Sequence, residues 1–236
     1  MTEREAFAER IQRYRENGER EVLSTGIAED AVLAGELREP GSDRRFGVAL
    51  VCRPNREIRE QIAAIRLRLM EHEPDQYYYP PQDLHLTLVE ICHSRTEEEA
   101  DRIAAAVREL PSDWLRSQPA VALDAPTLAY GSRGAALNFL PCDGGLQQLR
   151  SAIREELTGN GVAIESRYLP MSAHVTFLRY TTRLRTPAGQ WVECLNRCPV
   201  RLAARWVLSP VWLTWGGTWY GMNGRVSRYG PMVCGK

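Results

Sequence analysis

The chain writes one order of elements twice: strand, helix, a strand carrying His-apolar-Thr-apolar, helix. The two tetrapeptides are His85-Leu86-Thr87-Leu88 and His174-Val175-Thr176-Phe177, in a chain with only four histidines. Side chains alternate faces along a strand. His85 and Thr87 therefore share one face while Leu86 and Leu88 share the other, and His174 with Thr176 repeats the arrangement. A strand that is apolar on one side and polar on the other covers a core and lines a surface. Two of them in equivalent settings predict two lobes that bring four polar side chains to one cleft.

The elements around the motifs follow from periodicity and capping. Residues 1–44 form an N-terminal helical extension: Thr2 and Glu5 make a capping box, and Phe7, Ile11 and Tyr14 recur at helical spacing. A break is expected at Asn17-Gly18, then a second helical patch over 29–37 and a stop at Pro40-Gly41-Ser42. Residues 45–236 form the bilobal body. There, 46–52 reads as a buried strand, and Ile58, Ile62, Ile65 and Leu69 mark one face of a helix. The first motif strand spans 84–91, and Thr96 caps a helix that buries Ala100, Ile103, Val107 and Leu110. In the second half, strands over 121–130 and 135–140 flank a turn. Asp143 caps a helix carrying Leu146, Leu149, Ile153 and Leu157. The second motif strand spans 174–180, Thr186-Pro187 opens another helix, and 206–215 adds a final strand or two.

Composition narrows the setting. The 236 residues are 44% hydrophobic and 25% charged, and Lys+Arg equals Asp+Glu at 30 each. A balanced chain has no general cationic field, so no long duplex nucleic acid is expected as a partner. A nucleotide or short RNA end in a local Arg-lined cleft stays compatible. No stretch approaches the roughly 18 apolar residues needed to span a membrane, and no secretory pattern opens the chain. The six cysteines are scattered with no Cys-x-x-Cys pair, which predicts reduced thiols in a cytoplasmic protein. Oligomeric state is not legible.

The paired motif suits proton transfer at a phosphate. Imidazole, with an ordinary pKa of about 6.5, takes or gives a proton near neutrality. One histidine removes a proton from an attacking hydroxyl or water while the other protonates the leaving oxygen. Threonine hydroxyls aimed at the non-bridging oxygens stabilise the charge that builds. A zinc site is the main competitor, from His85, His93, His174 and Cys92. Along a continuous strand, however, His85 and His93 would lie roughly 26 Å apart, and no close-spaced ligand pair or His-Glu-x-x-His motif occurs. No metal and no other cofactor are expected. There is also no Gly-x-Ser-x-Gly elbow, Walker loop or dinucleotide fingerprint.

At these residues the chain resembles the 2H, or two-histidine, phosphoesterase superfamily, whose signature is a pair of His-x-Thr/Ser-x motifs. The resemblance runs from about Phe46 to Tyr220. It is similar both to the LigT-like bacterial RNA 2′,3′-cyclic phosphodiesterases and to the kinase-anchoring-protein-like branch. It implies an α+β fold of two facing antiparallel sheets with outer helices and a central cleft, the histidines lying on central strands. It also implies metal-independent cleavage of a 2′,3′-cyclic phosphate or 2′,5′-phosphodiester, with His85, Thr87, His174 and Thr176 as the catalytic set. The chain departs from the family in having Ala173 where a proline often precedes the second histidine, and in its N-terminal extension.

Candidate substrate contacts are Arg167 and Tyr168 just before the second motif, Tyr79 in an aromatic loop, and Trp215 and Tyr220 near the end. The alternative for each is ordinary packing. Arg179, Arg183 and Arg185 read as a solvated edge. A second function stays open: a nucleotide- or RNA-end-binding module that keeps the motifs without turnover. Intact histidines in both motifs favour the enzyme.

Overall fold

The computed structural model describes residues 1–166, 171–200 and 205–217, and the backbone of 225–230. In chain order the elements are α1 (Glu3–Thr25), α2 (Ala31–Arg38), β1 (Phe46–Cys52), α3 (Arg56–Met70), β2 (Tyr77–Tyr78), β3 (Leu86–Arg95) and α4 (Glu97–Glu109). They continue as β4 (Ala122–Gly131), β5 (Gly134–Pro141), α5 (Gly145–Gly159), β6 (Ala173–Arg179), α6 (Ala188–Asn196), β7 (Trp206–Val207), β8 (Val211–Gly217) and β9 (Arg225–Gly230). The strands make two antiparallel sheets, ordered β3-β1-β8-β9 and β2-β6-β5-β4-β7. This is the expected α+β architecture. None of the described helices is long and apolar enough to cross a membrane.

The lobes are not successive halves of the chain. β8 returns from the far end to pair with β1, and β2 leaves the first half to pair with β6. Tyr77–Tyr79, expected as loop, therefore pins the segment before the first motif to the strand that carries the second. The Tyr79 N–H extends that pairing by donating to Phe177 O at 3.0 Å.

Each sheet has one core face and one cleft face. In the first, Val48, Leu50, Leu213 and Trp215 join the core, with α4 packed against β8 and β1. The alternate residues Val51 and Trp212 lie in register with Thr87 on the other face. In the second, Leu128, Leu137 and Val175 form an apolar row, while Asn138 pairs with His174 and Ala136 with Thr176 on the opposite side. Helices cover the apolar faces because their stripes have the matching period. Ile58, Ile62, Ile65 and Leu69 of α3 are all buried, as are Leu146, Leu149, Ile153 and Leu157 of α5.

Three local expectations are corrected. No break occurs at Gly18: α1 runs through it as one helix. The glycine serves close packing instead, since a Cβ there would sit 1.8 Å from the Tyr130 carbonyl oxygen of β4. Asp143 does not cap α5, because the N-cap is Gly144 in the left-handed conformation with no side-chain cap bond. Pro187, not Thr186, is the N-cap of α6, one residue later than expected. The capping boxes of α1 (Thr2, Glu5) and α4 (Thr96, Glu99) form as the sequence predicts.

Candidate functional site

His85 immediately precedes β3 and Thr87 is its second residue, while His174 and Thr176 stand within β6. All four are half-buried, whereas Leu86, Leu88, Val175 and Phe177 between them are fully buried. The sequence alternation is thus realised on both strands. β3 and β6 approach one another across the lobes, bringing the two motifs to one place.

The Nδ1 atom of each imidazole has a partner. His85 Nδ1 lies 2.7 Å from the carbonyl oxygen of Asp83, and His174 Nδ1 lies 2.8 Å from Ser172 Oγ. A carbonyl only accepts, so the neutral form of His85 carries its proton on Nδ1 and its lone pair on Nε2. Such partners fix ring orientation. Both imidazoles are held below their ordinary pKa. For His85 the causes are burial and then the positive charge of Arg53, partly offset by the bond to Asp83 O. His174 is pushed down to about 4, first by burial and then by Arg150, His85 and Arg179. The effect of His85 on His174 shows that the two rings share one electrostatic environment.

Arg150 of α5 is 3% exposed and spans the junction of the lobes. Its guanidinium donates to Thr87 O at 3.0 Å and to Ser172 O at 2.8 Å, the second of these two residues before His174. One side chain therefore fixes the spacing of both motif strands. Sequence patterning misses it, because an arginine between Leu149 and Ser151 looks like an ordinary helix residue.

Two more arginines flank the histidines. Arg53, just after β1, lies 5.7 Å from the Trp212 ring centre and acts on the charge of His85. Arg179, expected at a solvated edge, instead lines a cavity with His174 and Thr176. The cause is a β-bulge: Ala136 pairs with Thr176 but Ala135 with Leu178, so Phe177 is an extra residue and the alternation flips. Gly134 permits this close pairing, since a Cβ there would be 2.1 Å from Leu178 O. The signal that patterning passed over is the consecutive apolar pair Phe177-Leu178, which breaks the alternation just before Arg179. Arg183 does remain exposed, and Arg185 pairs with Asp75.

The softer substrate contacts fare differently. Tyr79 is near the site but is only 6% exposed, packs edge-on to Tyr77 and bonds to Arg179. It supports Arg179 rather than offering an open stacking surface. Trp215 lies on the core face and donates from Nε1 to Asp101 of α4 at 2.9 Å, away from the histidines. Its parity is opposite to that of Trp212, the tryptophan that shares a row with Thr87. Arg167, Tyr168 and Tyr220 lie outside the described residues.

The cavity beside His174 has a volume of about 230 Å³, and of the four motif side chains its described lining includes His174 and Thr176 but not His85 or Thr87. β5 and β6 form one side, and α1 forms the other through Phe7, Arg10, Ile11 and Tyr14. Among the described residues no group of three His, Cys, Asp or Glu side chains is placed to hold a metal ion.

No family model matches the chain, and no curated protein matches it in sequence. Its fold does match solved structures. One, described as a phosphoesterase, is 18% identical over 80% of this chain and 99% of its own, with a TM-score of 0.50. A conserved protein of unknown function from Agrobacterium tumefaciens is 12% identical over 81% of this chain and 90% of its own, with a TM-score of 0.50. Escherichia coli LigT in complex with 3′-AMP is 18% identical over 81% and 99%, with a TM-score of 0.49. The chain has the two-lobed fold of the solved phosphoesterase.

Proposed function

We propose that this chain, built on a phosphoesterase fold, is a two-histidine phosphodiesterase that uses water, without a metal, to open a nucleotide-like 2′,3′-cyclic phosphate or cleave a 2′,5′-linkage. The observation that carries this reading is the pairing of His85 with His174. Each ring is oriented through Nδ1, each is accompanied by a threonine two residues on, and the charge of one acts on the other. Such a pair divides the work of acid and base at one phosphorus.

In the proposed step the water oxygen bonds to phosphorus as one ester P–O bond breaks. His85, with its lone pair on Nε2, takes the proton from water. His174 gives a proton to the departing oxygen, leaving a phosphomonoester and a free hydroxyl. Exchange of both rings with solvent restores the starting state. Thr87 and Thr176 donate to the non-bridging oxygens, and Arg53 and Arg179 set positive charge beside them. A charge-neutral chain with Arg53, Arg150 and Arg179 beside the histidines suits a nucleotide, short oligonucleotide or RNA end. A cytoplasmic setting fits the five described cysteines, all of which are free thiols.

The test is hydrolysis of nucleoside 2′,3′-cyclic phosphates and 2′,5′-linked dinucleotides in the presence of excess chelator. Turnover should persist, and His85→Ala and His174→Ala should each lower it by about 10²–10⁴-fold. Near-wild-type activity in either variant, or activity that needs added zinc or manganese, would sink the mechanism. Tight ligand binding without turnover would favour the binding module instead.

A further inference from the structure

The N-terminal helix does more than pack on the body: we infer that α1 is the specificity wall of the site, with Tyr14 and Arg10 holding the non-reacting part of a nucleotide-like substrate. This rests on the reading of the site as a phosphodiesterase.

The cavity that contains His174 and Thr176 is closed on its far side by α1. Phe7 and Ile11 are buried and form an apolar surface there, while Tyr14 is 51% exposed at the cavity. A half-exposed aromatic ring beside a phosphate site is a stacking surface for a base. Arg10 donates to the Met171 carbonyl at 2.5 Å, which fixes its charge at the cavity. With Arg133 and Arg179 it gives the lining three guanidiniums, and the described lining holds no carboxylate. The ligand is therefore an anion with a flat or apolar portion.

The wall is seated on the body. Arg4 pairs with Asp124 at 2.6 Å, Glu3 accepts from Gln147 N at 2.8 Å, and Gly18 lies flush on β4.

The experiment compares two substrates of the full-length protein: adenosine 2′,3′-cyclic phosphate and glycerol 1,2-cyclic phosphate. The wild type should prefer the mononucleotide by at least about tenfold in kcat/KM. Tyr14→Ala and Arg10→Ala should each cut the preference for the mononucleotide over the glycerol compound about tenfold, through KM, as loss of one stacked or charged contact predicts. Tyr14→Phe, which keeps the ring, should retain most of it. No preference for the mononucleotide in the wild type, or an unchanged preference in both alanine variants, would overturn the inference. If the wild type hydrolyses neither compound, the enzyme reading has failed, and calorimetric binding of 3′-AMP then decides. Weaker binding in Tyr14→Ala and Arg10→Ala upholds the wall, and equal binding removes it.

Discussion

Arg150 donates to the backbone carbonyl of Thr87 at 3.0 Å, reaching from α5 to the first motif strand, β3, against which that helix packs. The same guanidinium holds Ser172 O, so the distance between the two motifs is set by one buried cation and not by the strands alone. That cation also faces His174 and lowers its proton affinity. Structure and proton chemistry are joined at one residue.

Replacing Arg150 separates the two roles. Arg150→Met leaves two buried carbonyls without their donor and should cost about 2–4 kcal/mol, read as a lower denaturation midpoint. It also removes a positive charge beside His174, so the limb of the pH–rate profile that belongs to His174 should move to higher pH. Arg150→Lys retains the charge and should keep that limb near its wild-type position. An unchanged limb in the methionine variant would detach Arg150 from the proton chemistry.

The pH dependence of kcat/KM should be a bell displaced toward acid. Both histidines are held below 6.5 in the ligand-free protein, His174 at about 4. Since kcat/KM reports the free enzyme, both limbs should fall below pH 6.5. A bound phosphate anion raises both pKa values, so the kcat bell should lie at higher pH than the kcat/KM bell. Measuring both constants from about pH 3.5 to about pH 9 checks this, and a kcat/KM optimum above about 7 would contradict it.

Stability should respond to the same shift. The folded pKa of His174 is below its unfolded value of 6.5, so the unfolded chain binds more protons between the two. The contribution is complete above pH 6.5 and is lost as pH falls toward 4. His174→Asn should lose less stability than wild type across that window in urea denaturation. Parallel curves for the two proteins would show that the ring is not desolvated as the structure has it.

Gly18→Ala tests the seat of α1. Alanine favours a helix over glycine by about 1 kcal/mol, yet its Cβ would meet Tyr130 O at 1.8 Å. Relieving that clash requires α1 to lift from β4, so a net loss of about 1–3 kcal/mol is expected, seen as a lower Tm. Nucleotide affinity should fall with it, because α1 walls the cavity. A stabilised variant would mean that the helix is not seated there.

Much of the site is local information. His85-Leu86-Thr87-Leu88 and His174-Val175-Thr176-Phe177 alternate in sequence and alternate in burial, because a strand's period of two is set by its own backbone. The stripe of α3 and the capping boxes of α1 and α4 are local for the same reason: helical spacing and a side chain reaching three residues along suffice.

What the tertiary structure decided is which local pieces meet. No pattern in 77–79 says that this segment pairs with β6, and none in 211–217 says that β8 returns to β1. The bulge at Phe177 brings Arg179 to the cleft, and strand parity selects Trp212 over Trp215. Arg150 becomes a tie, and Gly18 a contact instead of a break, only because distant backbone carbonyls arrive beside them. The sequence by itself determined the chemistry each motif strand presents, since alternation depends on near neighbours. The cations, the wall and the spacing between the histidines depend on burial shared by elements far apart in the chain, and only the closed fold supplies that.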